Sequence, residues 1–334
     1  TVAMAAHYGT PLLVVASFSP VLSTWLTQEK ISAGLFLLAA LIGCIGIFPA
    51  TLNAYWLGKH QQQRMLRFAL LTSSIWLTVA IGAWLKIAIS GLLLMQCLTL
   101  AVIGLATWFY LRKLSGVANP LKVHTEYRQQ LMKFVPVGLA IGIMSPVSTL
   151  LIRGMLSQML SWEEVGIMQA LWRSTEWITA SAAGVLSLVF LPRFSSTYGS
   201  TQFKSEMIRA SVIVLIPTAA LLLSTYFNQQ LLLATLYDTR FIVSNTTAAW
   251  FMLGCWVRIV SWVFLFGLFA AHRTILIITG ELFSLPLYAL LLWIFAAGMS
   301  LERAGFLFLI SYVVYLVFNA IALMNSPSKA QSNS

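Results

Sequence analysis

The chain has 334 residues, of which 59 % are hydrophobic and 9 % charged, against about 45–50 % and 25 % in soluble domains. Mean hydropathy is +0.87, and so little charge cannot cover a water-facing surface, which excludes a soluble globular enzyme and a disordered chain. The net charge of +11 fits Lys and Arg gathered on one side of a membrane rather than a nucleic-acid partner.

The apolar stretches run for about twenty residues, the length of a membrane-spanning helix. They lack the period-2 alternation of an outer-membrane barrel, so the class is an all-α polytopic membrane protein. Ten spans are expected, at 4–26, 32–57, 67–85, 88–111, 132–152, 165–190, 208–227, 248–270, 274–297 and 304–324. Thr1 stands where a Met would start a chain, and no charged n-region precedes the first span, so no secretory signal is expected. Further residues are expected before Thr1 in the natural protein.

The connection at 112–131 is the longest, and it carries Arg112, Lys113, Lys122, Arg128 and Asn119–Pro120. It is the natural linker between two halves. Prolines recur within spans, at Pro20, Pro49, Pro136, Pro146, Pro217 and Pro286. The fifth span adds Gly138 and Gly142, and reads either as ordinary small-residue packing or as a helix that bends during transport. Trp25, Trp56, Trp84, Trp108 and Trp162 fall near span ends, as an aromatic belt requires. Cys44, Cys97 and Cys255 lie in apolar runs and read as small buried hydrophobes.

If the loop after the second span is cytoplasmic, thirteen of the 20 basic residues fall on that side and five on the other. This bias places the C-terminus in the cytoplasm. No P-loop is present, and His7, His60, His124 and His272 have no metal-ligand spacing. No catalytic residue, metal or cofactor is therefore expected. Asn245-Thr246-Thr247 matches a glycosylation acceptor, a triplet common by chance.

What remains is charge inside the membrane, which costs at least ~2.5–3.5 kcal/mol at mid-bilayer and so faces protein or water. Arg173 and Glu176 stand three apart in the sixth span and share one helix face. They form either a structural ion pair or a cavity-facing cation oriented by its carboxylate, with the guanidinium fork suited to phosphate. Arg258 in the eighth span and Glu281 in the ninth lie fourteen and nine residues from the turn at His272. Their depths differ by about 7–8 Å at ~1.5 Å per residue, a gap that a long Arg can bridge; they form a structural pair or a second anion or coupling site. Arg153 ends the fifth span, and either snorkels to the interface or marks the outer mouth of an anion path. Ser161 with Glu164 spells a capping box at the start of the sixth span.

The segment 161–195 resembles the Wzx-type flippases of bacterial O-antigen and enterobacterial common antigen synthesis. The likeness rests on Ser161-Trp162-Glu163-Glu164-Val165-Gly166-Ile167, on Gln169 and Glu176, on Ile178-Thr179-Ala180-Ser181 and on Leu191-Pro192. Arg173 departs from the family pattern, which leaves it specific to this substrate or structural. The resemblance implies a multidrug/oligosaccharidyl-lipid/polysaccharide exporter fold of two six-helix lobes, of which these would be the last ten of twelve helices. On that reading residues 1–111 are the remainder of the N-terminal lobe, 112–129 a cytoplasmic linker, 130–326 the C-terminal six-helix lobe and 327–334 a disordered tail.

The same resemblance implies a substrate: an oligosaccharide repeat unit on undecaprenyl pyrophosphate, moved from the cytoplasmic to the periplasmic leaflet of the inner membrane. In such flippases the cavity is lined by the first two helices of each lobe, which favours Arg173, Glu176 and Arg153 over Arg258 and Glu281 as substrate contacts. Membrane lipids, an O-antigen polymerase and a chain-length regulator are the implied partners. An anion moving outward from a negative interior gains ~2.3 kcal/mol per charge per 100 mV, so ATP is not required; proton or sodium coupling through Glu176 or Glu281 is an option. The competing readings are a membrane polymerase or glycosyltransferase of the same pathway, a small-molecule exporter of the same superfamily, and a purely structural membrane protein. Against an enzyme stands the longest outer loop, at about 228–247, whose only charges are Asp238 and Arg240.

Overall fold

The computed structural model describes residues 32–115 and 144–326, apart from His60, Lys86, Pro146, Asp238 and Arg240. The expected span at 4–26, most of the span at 132–152, the linker beyond 115 and the tail at 327–334 lie outside the described residues. Among the described residues there is no strand, and seven helices are long and apolar enough to cross a membrane. The protein is a polytopic all-α membrane protein. It divides into two compact units, with the boundary between Val135 and Pro136.

In the first unit, α1 (Ala33–Gly43) and α2 (Ile47–Gly58) are joined by a 3-10 turn at Cys44–Gly46, so the expected span 32–57 is two short helices. Two long helices follow, α3 (Gln62–Trp84) and α4 (Ile89–Ser115). All three earlier helices pack on α4. Gly104 of α4 has its empty side against Ile45, and a Cβ there would strike that side chain and its carbonyl. A glycine is therefore what lets the 3-10 turn seat on the helix. Trp56, read as an interface anchor, is instead 5 % exposed. Phe68 of α3 and Tyr110 of α4 close over it, edge-on, with ring centroids 5.5 and 6.0 Å away.

The second unit begins, within the described residues, with a helix over 147–159 (α5). Then come α6 (Trp162–Val185), a π-helical segment Leu186–Phe190, and α7 (Leu191–Thr197). The sixth span was expected to stop at 190, yet helix continues to Thr197. Pro192 has no N–H to give the preceding turn, and the wider π turn just before it takes up that break without ending the helix. The long α8 (Gln202–Phe227) carries Pro217 in its interior. Around that gap Thr218 Oγ1 donates to the Val214 carbonyl at 2.7 Å, and the Trp256 indole donates to the Leu215 carbonyl at 3.3 Å.

The remaining elements are α9 (Gln229–Leu236), α10 (Asn245–Ala270), α11 (Thr274–Leu282), α12 (Leu285–Ile294) and α13 (Leu301–Met324). The expected span 274–297 is broken in two, because Pro286 sits in the first turn of α12 and cannot continue α11. The unit's backbone is the long pairing of α10 with α13. Glycines make it close: a Cβ on Gly254 would lie 2.5 Å from Phe308, and one on Gly267 would lie 2.7 Å from Leu323. In lipid, where no water is expelled between helices, such close packing supplies much of the association energy. Phe308 fills the centre, with the rings of Trp172, Phe251, Tyr288 and Tyr312 at 4.8–5.5 Å. Cys97 and Cys255 are buried and unbridged.

Candidate functional site

The start of α6 is fixed by the capping box read from the sequence. Ser161 Oγ accepts from the Glu164 backbone N–H at 3.2 Å, and the Ser161 N–H donates to Glu164 Oε2 at 2.9 Å. Two of the helix's orphan donors are thereby satisfied, and the acids sit at the positive end of its dipole. This fixes the first turn of α6. Met168, Leu171, Thr175, Ile178 and Ala182 turn into the core at spacings of three and four.

The opposite face carries Gln169, Arg173, Glu176 and Ala180 at spacings of four, three and four. Arg173 Nη1 donates to Glu176 Oε2 at 2.6 Å, while the two side chains remain 60 % and 55 % exposed. The pair is thus formed, as the sequence allowed, and it stands on the unit's surface rather than in its core. One turn earlier, Gln169 has a buried Nε2 with no hydrogen-bond partner. The stripe holds unused donors beside a partly neutralised cation.

Arg153 of α5 joins this group. It is half-buried, its Nε is enclosed without a partner, and its charge interacts with both Arg173 and Glu176. Tyr237, in the loop after α9, completes it. Partial burial pushes the Tyr237 phenol above its ordinary value, with Arg173 pulling it down and Glu176 pushing it up. The phenol is therefore a protonated donor at neutral pH. Tyr237 was not singled out in the sequence, where a tyrosine in a loop carries no signal. Only the fold brings it to α6.

Arg258 and Glu281 form a different group, inside the unit. They make no ion pair within 4.0 Å, so the expected bridge is not formed. Aromatic side chains intervene instead. The Arg258 guanidinium lies 4.8 Å from the Trp262 ring centroid and 5.5 Å from that of Tyr312. Glu281 Oε1 accepts from the Tyr315 hydroxyl at 2.8 Å, and Oε2 lies 3.3 Å from Ser284 Oγ. Tyr315 was also missed, though Tyr312, Tyr315 and Asn319 form a polar line along one face of an apolar helix and could have marked it. Among the described residues no cluster of three or more His, Cys, Asp or Glu is placed to hold a metal.

The fold and both polar groups therefore define a helical membrane protein with a charged, donor-rich stripe on one surface. No family model matches the chain and no solved structure matches it. Two curated proteins do: the lipid III flippases of Escherichia coli (strain K12) and of Shigella flexneri, each 23 % identical over 187 residues. That region is 56 % of this chain and 45 % of each relative, so the chain spans about half the length of the curated relatives it matches.

Proposed function

We propose that the protein is a transporter that flips an undecaprenyl-pyrophosphate-linked oligosaccharide, of the O-antigen kind, from the cytoplasmic to the periplasmic leaflet of the inner membrane. The observation that carries this reading is the exposed stripe on α6. A salt-bridged Arg and Glu that lie outside the core of their own unit, within a span, cannot stand against lipid tails without a large penalty. They belong on a wet path. Arg173, Arg153 and the Tyr237 hydroxyl supply the donors for a pyrophosphate, and Glu176 keeps the Arg173 fork aimed. The similarity to lipid III flippases supports a lipid-linked substrate.

The lipid tail stays in the bilayer while the headgroup crosses, and the membrane potential drives the anion outward. Glu281, bound to Tyr315 in the interior, is placed to couple a proton or sodium ion to the conformational change rather than to touch substrate. The test is to delete the gene and locate the lipid-linked repeat unit. Single units trapped in the cytoplasmic leaflet are the expected result. Unpolymerised units in the periplasmic leaflet would make the protein a polymerase and sink the proposal.

A further inference from the structure

The first unit contains a cavity of about 560 Å³ between α2, α3 and α4, within the ~300–1,000 Å³ of small-molecule sites. Its wall is mostly apolar, with Trp56, Phe68, Thr107 and Tyr110 among its lining, and Arg64 and Arg67 stand at one end of it. Along α3 the lining runs from Arg64 to Ile75. At ~1.5 Å per residue this is a depth of about 16 Å, close to half of a ~30 Å hydrocarbon core. The cavity is thus one leaflet deep, with its cations at the end where a headgroup lies.

Two further observations point to an occupant. The Trp56 indole N–H is enclosed with no hydrogen-bond partner, although Trp56 is 5 % exposed and lines the cavity. A buried donor left unmet is costly unless something accepts from it. Among the described residues of the first unit there is no Asp or Glu to pair with the two arginines. Lys59, just past the end of α2, and Lys113 in the last turn of α4 add to the same positive end. A bound anion supplies a counter-charge that no described residue of this unit offers to Arg64 and Arg67.

We propose that this cavity binds an anionic phospholipid. Its phosphate lies on Arg64 and Arg67, an ester carbonyl accepts from the Trp56 indole, and one acyl chain fills the apolar wall down to Ile75. A 55-carbon prenyl tail is too large for the space, which distinguishes the site from one for the transported lipid.

The test uses the purified full-length protein in detergent, titrated with phosphatidylglycerol or phosphatidylcholine of matched chains and observed by native mass spectrometry. One phosphatidylglycerol should remain bound under activation that strips phosphatidylcholine. R64Q/R67Q should weaken that binding by about tenfold or more, from the loss of two basic contacts at a lipid surface. A106F, which fills the cavity and leaves both arginines in place, should also lose the lipid, whereas K204Q in the second unit should not. Equal retention of the two lipids, or unchanged retention in R64Q/R67Q, would overturn the proposal. So would displacement by excess inorganic phosphate, which would make this a bare anion site. R64Q/R67Q alters exposed side chains, so the test stands even if A106F does not fold.

Discussion

Arg173 and Glu176 set the terms at the scale of single residues. Their ion pair is more than half exposed, and such pairs contribute only ~0–1 kcal/mol to stability. Arg173→Ala should therefore leave the amount of protein in the membrane unchanged. If Arg173 contacts pyrophosphate, the same change removes a charge-assisted contact of ~1.5–3 kcal/mol and should slow export about tenfold or more. Quantitative blotting beside surface-polysaccharide labelling separates the two effects. A parallel fall in abundance would make the pair structural. Glu281 behaves oppositely, because its partner is buried. Tyr315→Phe strips Oε1 of its donor and should cost ~1–3 kcal/mol, visible as a fall of several degrees in the unfolding midpoint in detergent.

Among elements, the close pairing of α10 with α13 is the most exposed to substitution. Gly254→Leu has to displace the Phe308 ring, around which Trp172, Phe251, Tyr288 and Tyr312 are arranged. Overpacking of this kind costs ~1–3 kcal/mol or more, and the variant should be poorly recovered from membranes, whereas Gly184→Ala, with open space at that glycine, should be recovered normally. The capping box at Ser161 and the i, i+3 pair were legible in the sequence because each is local, set by two residues three positions apart. The break at Pro286 and the continuation past Pro192 were not. Whether a helix ends or bends at a proline depends on what neighbouring turns can absorb. The failure of the Arg258–Glu281 bridge has the same origin, since depth along a helix says nothing of the aromatic rings standing between two side chains.

At the scale of the whole molecule, the all-α membrane class followed from composition and span length alone. The orientation rests on where the basic residues fall, and labelling tests it directly. With Cys97 and Cys255 buried and Cys44 replaced by Ser, a cysteine introduced at Ser200 should react only after the inner membrane is permeabilised. One at Thr239 should react with an impermeant maleimide added from the periplasm. The reverse pattern would invert the topology and with it the direction of the proposed transport. The charges that carry the candidate site were visible in the sequence as intramembrane oddities. Their sorting into an outward stripe and an inward cluster was not, because helix rotation is fixed by packing against neighbours.

The π turn at Leu186–Phe190 acts as a phase shifter on this long helix. A straight α-helix advances about 100° per residue, and a single wide turn holds one residue more than its neighbours. The segment after it is therefore rotated by about one residue's worth relative to the segment before. The Gln169–Arg173–Glu176 stripe can point outward while Phe190 and Phe194, at 1 % and 0 % exposure, both point inward. Removing one residue between Leu186 and Phe190 would restore an even winding and set these two demands against each other. Either the aromatic pair is pulled from the core or the charged stripe is turned toward it. A one-residue deletion here should disable the protein more severely than the loss of any single side chain in the segment.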